Sequence, residues 1–117
     1  MHKLKDLKVY KKALNFTKSV RMVTMNFPKE ELFVQTSQFR RAADSIALNI
    51  AEGAGDLSKK EFSRFLNYSI RSGFECVGCA DIALENDFLH ELSHREIVST
   101  VNEIIAMPDG LQKSLTC

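Results

Sequence analysis

Residues 38–53 read QFRRAADSIALNIAEG. Phe39, Ala43, Ile46, Ile50 and Gly53 recur in this run at alternating steps of four and three, the period of a single helical face. Leu32 and Thr36 extend the same seam towards the N-terminus. The pattern therefore predicts one helix from Leu32 to Gly53, ended by the glycines of EGAGD (52–56).

The same period recurs on both sides. Upstream, Val9, Ala13, Phe16, Val20, Val23 and Phe27 fall on one face, and Pro28 biases Phe27 out of the α region and turns the chain. Downstream, Ser58 and Glu61 form a capping-box pattern ahead of Phe62, Leu66, Ser69, Gly73, Cys76, Ala80 and Ala83, a helix running to about Asn86. A second capping box at Ser93 and Glu96 precedes Ile97, Val101, Ile104, Pro108, Leu111 and Leu115, with Pro108 expected to kink or interrupt this fourth helix. Strand signals are missing from the sequence. Four amphipathic segments with short connections predict an all-α, up-down-up-down antiparallel four-helix bundle, one domain over residues 1–117.

A chain of 117 residues that is 44% hydrophobic is long enough to bury one core. It has no 18-residue apolar run and opens on MHKLKDLKVYKK, without the apolar segment of a secretory signal, so it reads as a soluble cytoplasmic protein with no membrane role. Three cysteines, two of them three residues apart, do not resemble the disulfide framework of a secreted domain.

Two short motifs invite a catalytic reading. HELSH, His90 to His94, spells the zinc-peptidase H-E-x-x-H, which needs both histidines on one face within a continuous helix and a further ligand. With Ser93 as helix cap, His90 falls in the connection and His94 at the first helical position, so the pair no longer chelates. CVGC, Cys76 to Cys79, lies late in a long helix with no strand nearby, whereas a redox pair sits at a helix start where the dipole lowers the thiol pKa. Both cysteines read as structural. No metal site, cofactor site or catalytic residue is assigned, and the chain is read as a non-enzyme.

Beside its apolar seam the second helix carries a polar stripe, Gln38, Arg41, Ser45, Asn49 and Glu52, again at steps of three and four. Groups half-buried at a helix interface need partners, and Arg64, Ser72 or Glu75 of the third helix can supply them. The stripe reads as a structural network fixing helix register. A ligand site inside the bundle is the other reading, but a di-metal site needs Glu-x-x-His pairs and the chain has no histidine between His2 and His90.

The segments FPKEELFVQTSQFRRAADSIALNIAEGAG and SKKEFSRFLNYSIRSGFECVGCADIA resemble the bacterial proteins named after open reading frames in 23S ribosomal RNA intervening sequences, relatives of the accessory protein of diversity-generating retroelements. LKVYKKA is similar to the family's opening, residues 38–53 to its Q-x-R-R-A-x-x-S-I-x-x-N-I-A-E-G core, and Glu61, Phe62, Phe65 and Leu66 to its third-helix motif. The chain departs where Tyr10 stands for a common Trp, Phe33 and Val34 for the usual aromatic and Gly before the core motif, Ala47 for a common Pro and Arg71 for a common Gly. The resemblance implies a four-helix bundle assembling as a ring of five, without established catalytic residues, and an association with nucleic acid.

Charge offers a handle independent of resemblance. The whole chain is +1, yet residues 1–27 hold seven Lys or Arg against one acidic residue, and residues 87–117 hold two against five. Lys5, Lys8 and Lys12, read as sharing a face of the first helix away from its apolar seam, are therefore the first candidates for RNA or DNA phosphates, and Arg40 and Arg41 the second, since Arg40 has Asp44 one turn on and Arg41 lies on the polar stripe. The expected protein is a homo-oligomeric helical adaptor associated with nucleic acid. A scaffold binding only protein partners is the alternative, and a metal-dependent hydrolase a remote one.

Overall fold

Apolar residues at steps of three and four wind into four α-helices, α1 (Lys8–Thr24), α2 (Ser37–Gly53), α3 (Lys59–Glu85) and α4 (Glu91–Thr116), in the computed structural model. The structure describes residues 4–55 and 58–116, without the side chains of Lys5 and residues 108–116. Among the described residues there is no strand.

Side-chain bonds fix the direction of each helix against its neighbour. Arg21 donates from both terminal nitrogens to the two Asp44 oxygens at 2.8 and 2.9 Å, and Arg40 Nε donates to Thr24 Oγ1 at 2.9 Å, so α1 and α2 run antiparallel. Between α2 and α3, Ser69 Oγ donates to the Ile46 carbonyl at 2.8 Å, while the Ser45 and Ser72 hydroxyls meet at 2.8 Å. Asp81 meets His94, and Gly73 lies against Val101 and Ile105, which makes α3 and α4 antiparallel. Lys12 on Glu103 joins α1 to α4 and closes the ring of four. The up-down-up-down bundle read from the seams is the fold.

Its core follows the predicted faces: Phe16, Phe39, Phe62, Ile46, Ile50, Leu66, Val101 and Ile104 are all under 2% exposed. Burying each such side chain is worth about 1.5–3 kcal/mol, and this, rather than helix propensity, holds the four segments together. Every buried side-chain nitrogen or oxygen among the described residues has a hydrogen-bond partner.

Departures from the sequence reading occur at helix ends. The predicted Leu32 start of the second helix is a one-turn π-helix, Leu32–Thr36, behind a short 3-10 turn, Lys29–Glu31. A π-turn holds more residues than an α-turn, so positions before Thr36 are rotated off the α2 seam. Leu32 is 46% exposed and Phe33 89%. At the other end of α2 the glycines are not in the left-handed region, since no glycine has positive φ. Gly53 is required for room: a Cβ there would lie 2.8 Å from Phe65 Cβ and 2.9 Å from Phe62 Cδ1.

Ser58 caps α3 as expected, accepting from the Glu61 N–H, but the Glu61 carboxylate turns to Arg64 rather than back to the cap. α3 closes on a left-handed residue, Asp87 at φ 60°, with Asp87 N–H bonded to Leu84 O and Phe88 N–H to Ala83 O. This is a Schellman end with aspartate where glycine is usual. Its apolar partner is Phe88, which packs tilted against Phe27 with ring centroids 5.7 Å apart.

α4 begins three residues earlier than predicted. Glu91 is its first residue and the His94 N–H already bonds to the His90 carbonyl, so Ser93 lies inside the first turn and is not the cap. Buried Leu89 pins the connection, leaving His90 at the boundary. The helix continues through Pro108 without interruption. Leu111 and Leu115 have side chains outside the described residues.

Candidate functional site

The polar stripe of α2 divides in three dimensions. Ser45 and Asn49 enter a network between helices, with Asn49 Nδ2 donating to the Ser45 carbonyl at 2.9 Å and to Ser45 Oγ at 3.0 Å, and Ser45 meeting Ser72. Ser72 also donates back to the Tyr68 carbonyl. Arg64 is not part of this network: it donates to Glu61 at 2.6 Å and its guanidinium lies over the rings of Phe65 and Tyr68, at 5.5 and 5.9 Å. Glu52 is on the exposed edge. Gln38, Arg41 and Glu75 come together elsewhere, around an open cleft of about 560 Å³ with Phe33 and Val34 of the π-turn at its rim.

The candidate cations also separate. Lys12 is tied to Glu103 of α4 and lies beside the apolar seam, not opposite it. Arg40 is half-buried and spends its Nε on Thr24, whose hydroxyl donates in turn to the Val20 carbonyl at 2.7 Å. The expected Arg40–Asp44 pair does not form because Arg21 takes both Asp44 oxygens, and those hydrogen bonds raise the pKa of the Arg21 guanidinium. Lys5 has its side chain outside the described residues. Lys8 and Arg41 remain, both exposed and with no side-chain partner among them.

Two lysines that the sequence reading passed over share the position of Lys8. Lys8, Lys11 and Lys18 are all exposed and have no ion-pair partner among the described residues. With Asn15 and Met22 they follow steps of three, four, three and four, a single stripe along the outside of α1. The spacing was present in the sequence. Which lysines were engaged by acidic neighbours was not, because that depends on how α4 packs on α1.

The remaining motifs are accounted for by packing. His94 Nε2 meets Asp81 Oδ1 at 2.8 Å, one helix away, and no group of three or more potential metal ligands occurs among the described residues. Burial pushes the Cys79 thiol up to about 11, with Glu75 adding, and pushes Cys76 higher still, with Cys79 and Glu75 adding. Burial of both thiols thus disfavours the thiolate, the reverse of the environment that activates a redox pair. In a Cys117→Ser variant at pH 8, a thiol reagent is therefore expected to label neither cysteine quickly in the native state and both after denaturation; a fast native thiol contradicts the buried placement.

With the geometry in hand, comparison with known proteins decides the family. Residues 5–110 match the family described as 23S rRNA-intervening sequence protein. The chain belongs to that family. No curated protein matches it. Among solved structures, this 23S rRNA-intervening sequence protein is similar to a protein of unknown function from the S23 ribosomal protein family of Bacteroides thetaiotaomicron. The two share 21% identity with a TM-score of 0.80, over 90% of this chain and 98% of that one. At that identity the likeness is one of fold.

Proposed function

We propose that this protein is a non-enzymatic, self-associating cytoplasmic scaffold that engages nucleic acid through basic faces. The observation that carries the reading is the α1 stripe: Lys8, Lys11 and Lys18 stand exposed and unpaired, while the other described cations of that helix, Lys12 and Arg21, are held by carboxylates. Lysines on a solvated face are suited to phosphates, each neutralised phosphate adding affinity by releasing counterions. The family name ties its members to ribosomal RNA genes, and the similar structure is assigned to a ribosomal protein family. Neither says what this chain binds.

Self-association rests on the family resemblance. Met25 is 76% exposed and Met22, Leu48, Phe74 and Leu92 about 62%, but residues scattered singly are ordinary on a protein surface and do not by themselves mark an interface. The ring of five follows the family resemblance. Repeating a modest basic stripe around a ring multiplies its effect on a polyanion. A protein-only scaffold is the second reading.

The test is a titration of labelled single-stranded RNA with wild type and with a Lys8→Glu/Lys11→Glu/Lys18→Glu variant. We expect the variant to bind on the order of tenfold more weakly or worse, with unchanged helicity. Light scattering is expected to give both proteins a mass near five times the 13.2 kDa chain. Equal affinities would favour the protein-only scaffold, and a monomer at micromolar concentration would remove the ring.

A further inference from the structure

The cleft between the π-turn, α2 and α3 holds polar groups that the bundle does not use. Arg41 from α2 and Glu75 from α3 both line it, yet they form no ion pair with each other or with any described residue. Gln38 lines the same wall, likewise without a side-chain bond among the described residues. Phe33, 89% exposed, stands at the rim with its ring open to solvent. A guanidinium and a carboxylate facing a common space without touching leave room for a group that satisfies both.

We propose that this cleft binds an unpaired guanine base. A guanidinium presents parallel donors and a carboxylate paired acceptors, so the complementary ligand is planar, with two adjacent acceptors and two adjacent donors. Guanine has this arrangement: O6 and N7 accept from an arginine, while N1–H and N2–H donate to a carboxylate. Adenine and cytosine each offer one exocyclic amino group, and uracil one ring N–H, so none fills both oxygens of Glu75 in this way. The N1 and N2 edge is the one used in base pairing, so the guanine must be unpaired, and unpaired bases are commonly held by stacking on an aromatic ring. Phe33 is that ring, and Gln38 is placed to add a hydrogen bond. A cleft of about 560 Å³ lies within the usual size of ligand pockets and takes a base with its sugar. Phe33 is presented at the rim from within the π-turn, Leu32–Thr36.

For a polymer ligand the inference rests on the proposed nucleic-acid role, with α1 holding phosphates and the cleft selecting a base. A free guanine nucleotide has the same chemistry, and the test separates the two sources. Calorimetric titrations would compare GMP, AMP, CMP and UMP, and then the oligonucleotides UUGUU, UUAUU and UUUUU, against wild type, Glu75→Gln and Arg41→Ala. We expect GMP and UUGUU to bind about tenfold or more tightly than their counterparts. Glu75→Gln, which replaces one acceptor by a donor at an exposed position, is expected to remove that preference. Equal affinity for the four nucleotides, no heat with GMP at millimolar concentration, or a preference that survives Glu75→Gln would overturn the inference. Loss of guanine preference with salt-sensitive RNA binding retained leaves the proposed function standing. GMP binding without any affinity for the oligonucleotides makes the cleft a nucleotide site and removes the proposed function.

Discussion

Replacing Phe39 by alanine is expected to lower stability by about 3–5 kcal/mol, the usual cost of emptying a buried aromatic site. Phe39 is 0% exposed, and its ring lies 6.5 Å from that of Phe27, which in turn packs on Phe88 beyond α3. Loss of the ring therefore loosens the turn after α1 and the end of α3 together. A domain of this size has about 5–15 kcal/mol in total, so the variant is expected to melt about 10–20 °C lower. Phe33→Ala is the contrast. Its ring is 89% exposed, and its removal is expected to change stability by no more than about 0.5 kcal/mol. Thermal denaturation followed by circular dichroism measures both. Similar losses from the two variants would contradict the π-turn that separates them.

Gly53→Ala is expected to destabilise by about 1–3 kcal/mol, the cost of overpacking a close helix contact. Alanine is the better helix former by about 1 kcal/mol, so helix propensity alone predicts a gain. The new Cβ, however, would lie 2.8 Å from Phe65 Cβ, an atom fixed to the α3 backbone, and 2.9 Å from Phe62 Cδ1. The ring can swing but Phe65 Cβ cannot move unless the helices part. Gly78→Ala supplies the opposite sign. A Cβ at Gly78 meets nothing within 4 Å, so the substitution in mid-α3 is expected to stabilise by about 0.5–1 kcal/mol. Urea denaturation of both variants reads the two signs directly. A gain at Gly53 would show that α2 and α3 are not held at this distance.

These pairs show which features a sequence makes legible. The seams of α1 to α4 could be read because burial imposes a three-and-four period, and Phe16, Phe39, Ile46, Leu66 and Val101 occupy the faces so predicted. The Ser58 cap was legible for the same kind of reason, being a bond between residues three apart. Features set by packing between helices were not. Asp44 had two arginines in reach, and only the closeness of α1 to α2 gives it to Arg21 and leaves Arg40 to Thr24. Lys12 loses its independence to Glu103, 91 residues away. The π-turn has no periodic signature over five residues, so the exposure of Leu32, a residue of the predicted seam, and the gathering of Gln38, Arg41 and Glu75 into a cleft lay beyond the pattern. Gly53 was read as a helix terminator, when its part is to let α3 approach.

Salt dependence tests the central claim most directly. If Lys8, Lys11 and Lys18 each neutralise a phosphate, the affinity of the wild-type protein for single-stranded RNA has a logarithmic slope against salt of about −2 for each engaged subunit. Raising salt from 50 to 200 mM should then weaken binding by about tenfold or more, and the slope should flatten towards zero in the Lys8→Glu/Lys11→Glu/Lys18→Glu variant. An affinity that is independent of salt, or a slope that the three substitutions leave unchanged, would contradict nucleic-acid engagement through the outer face of α1.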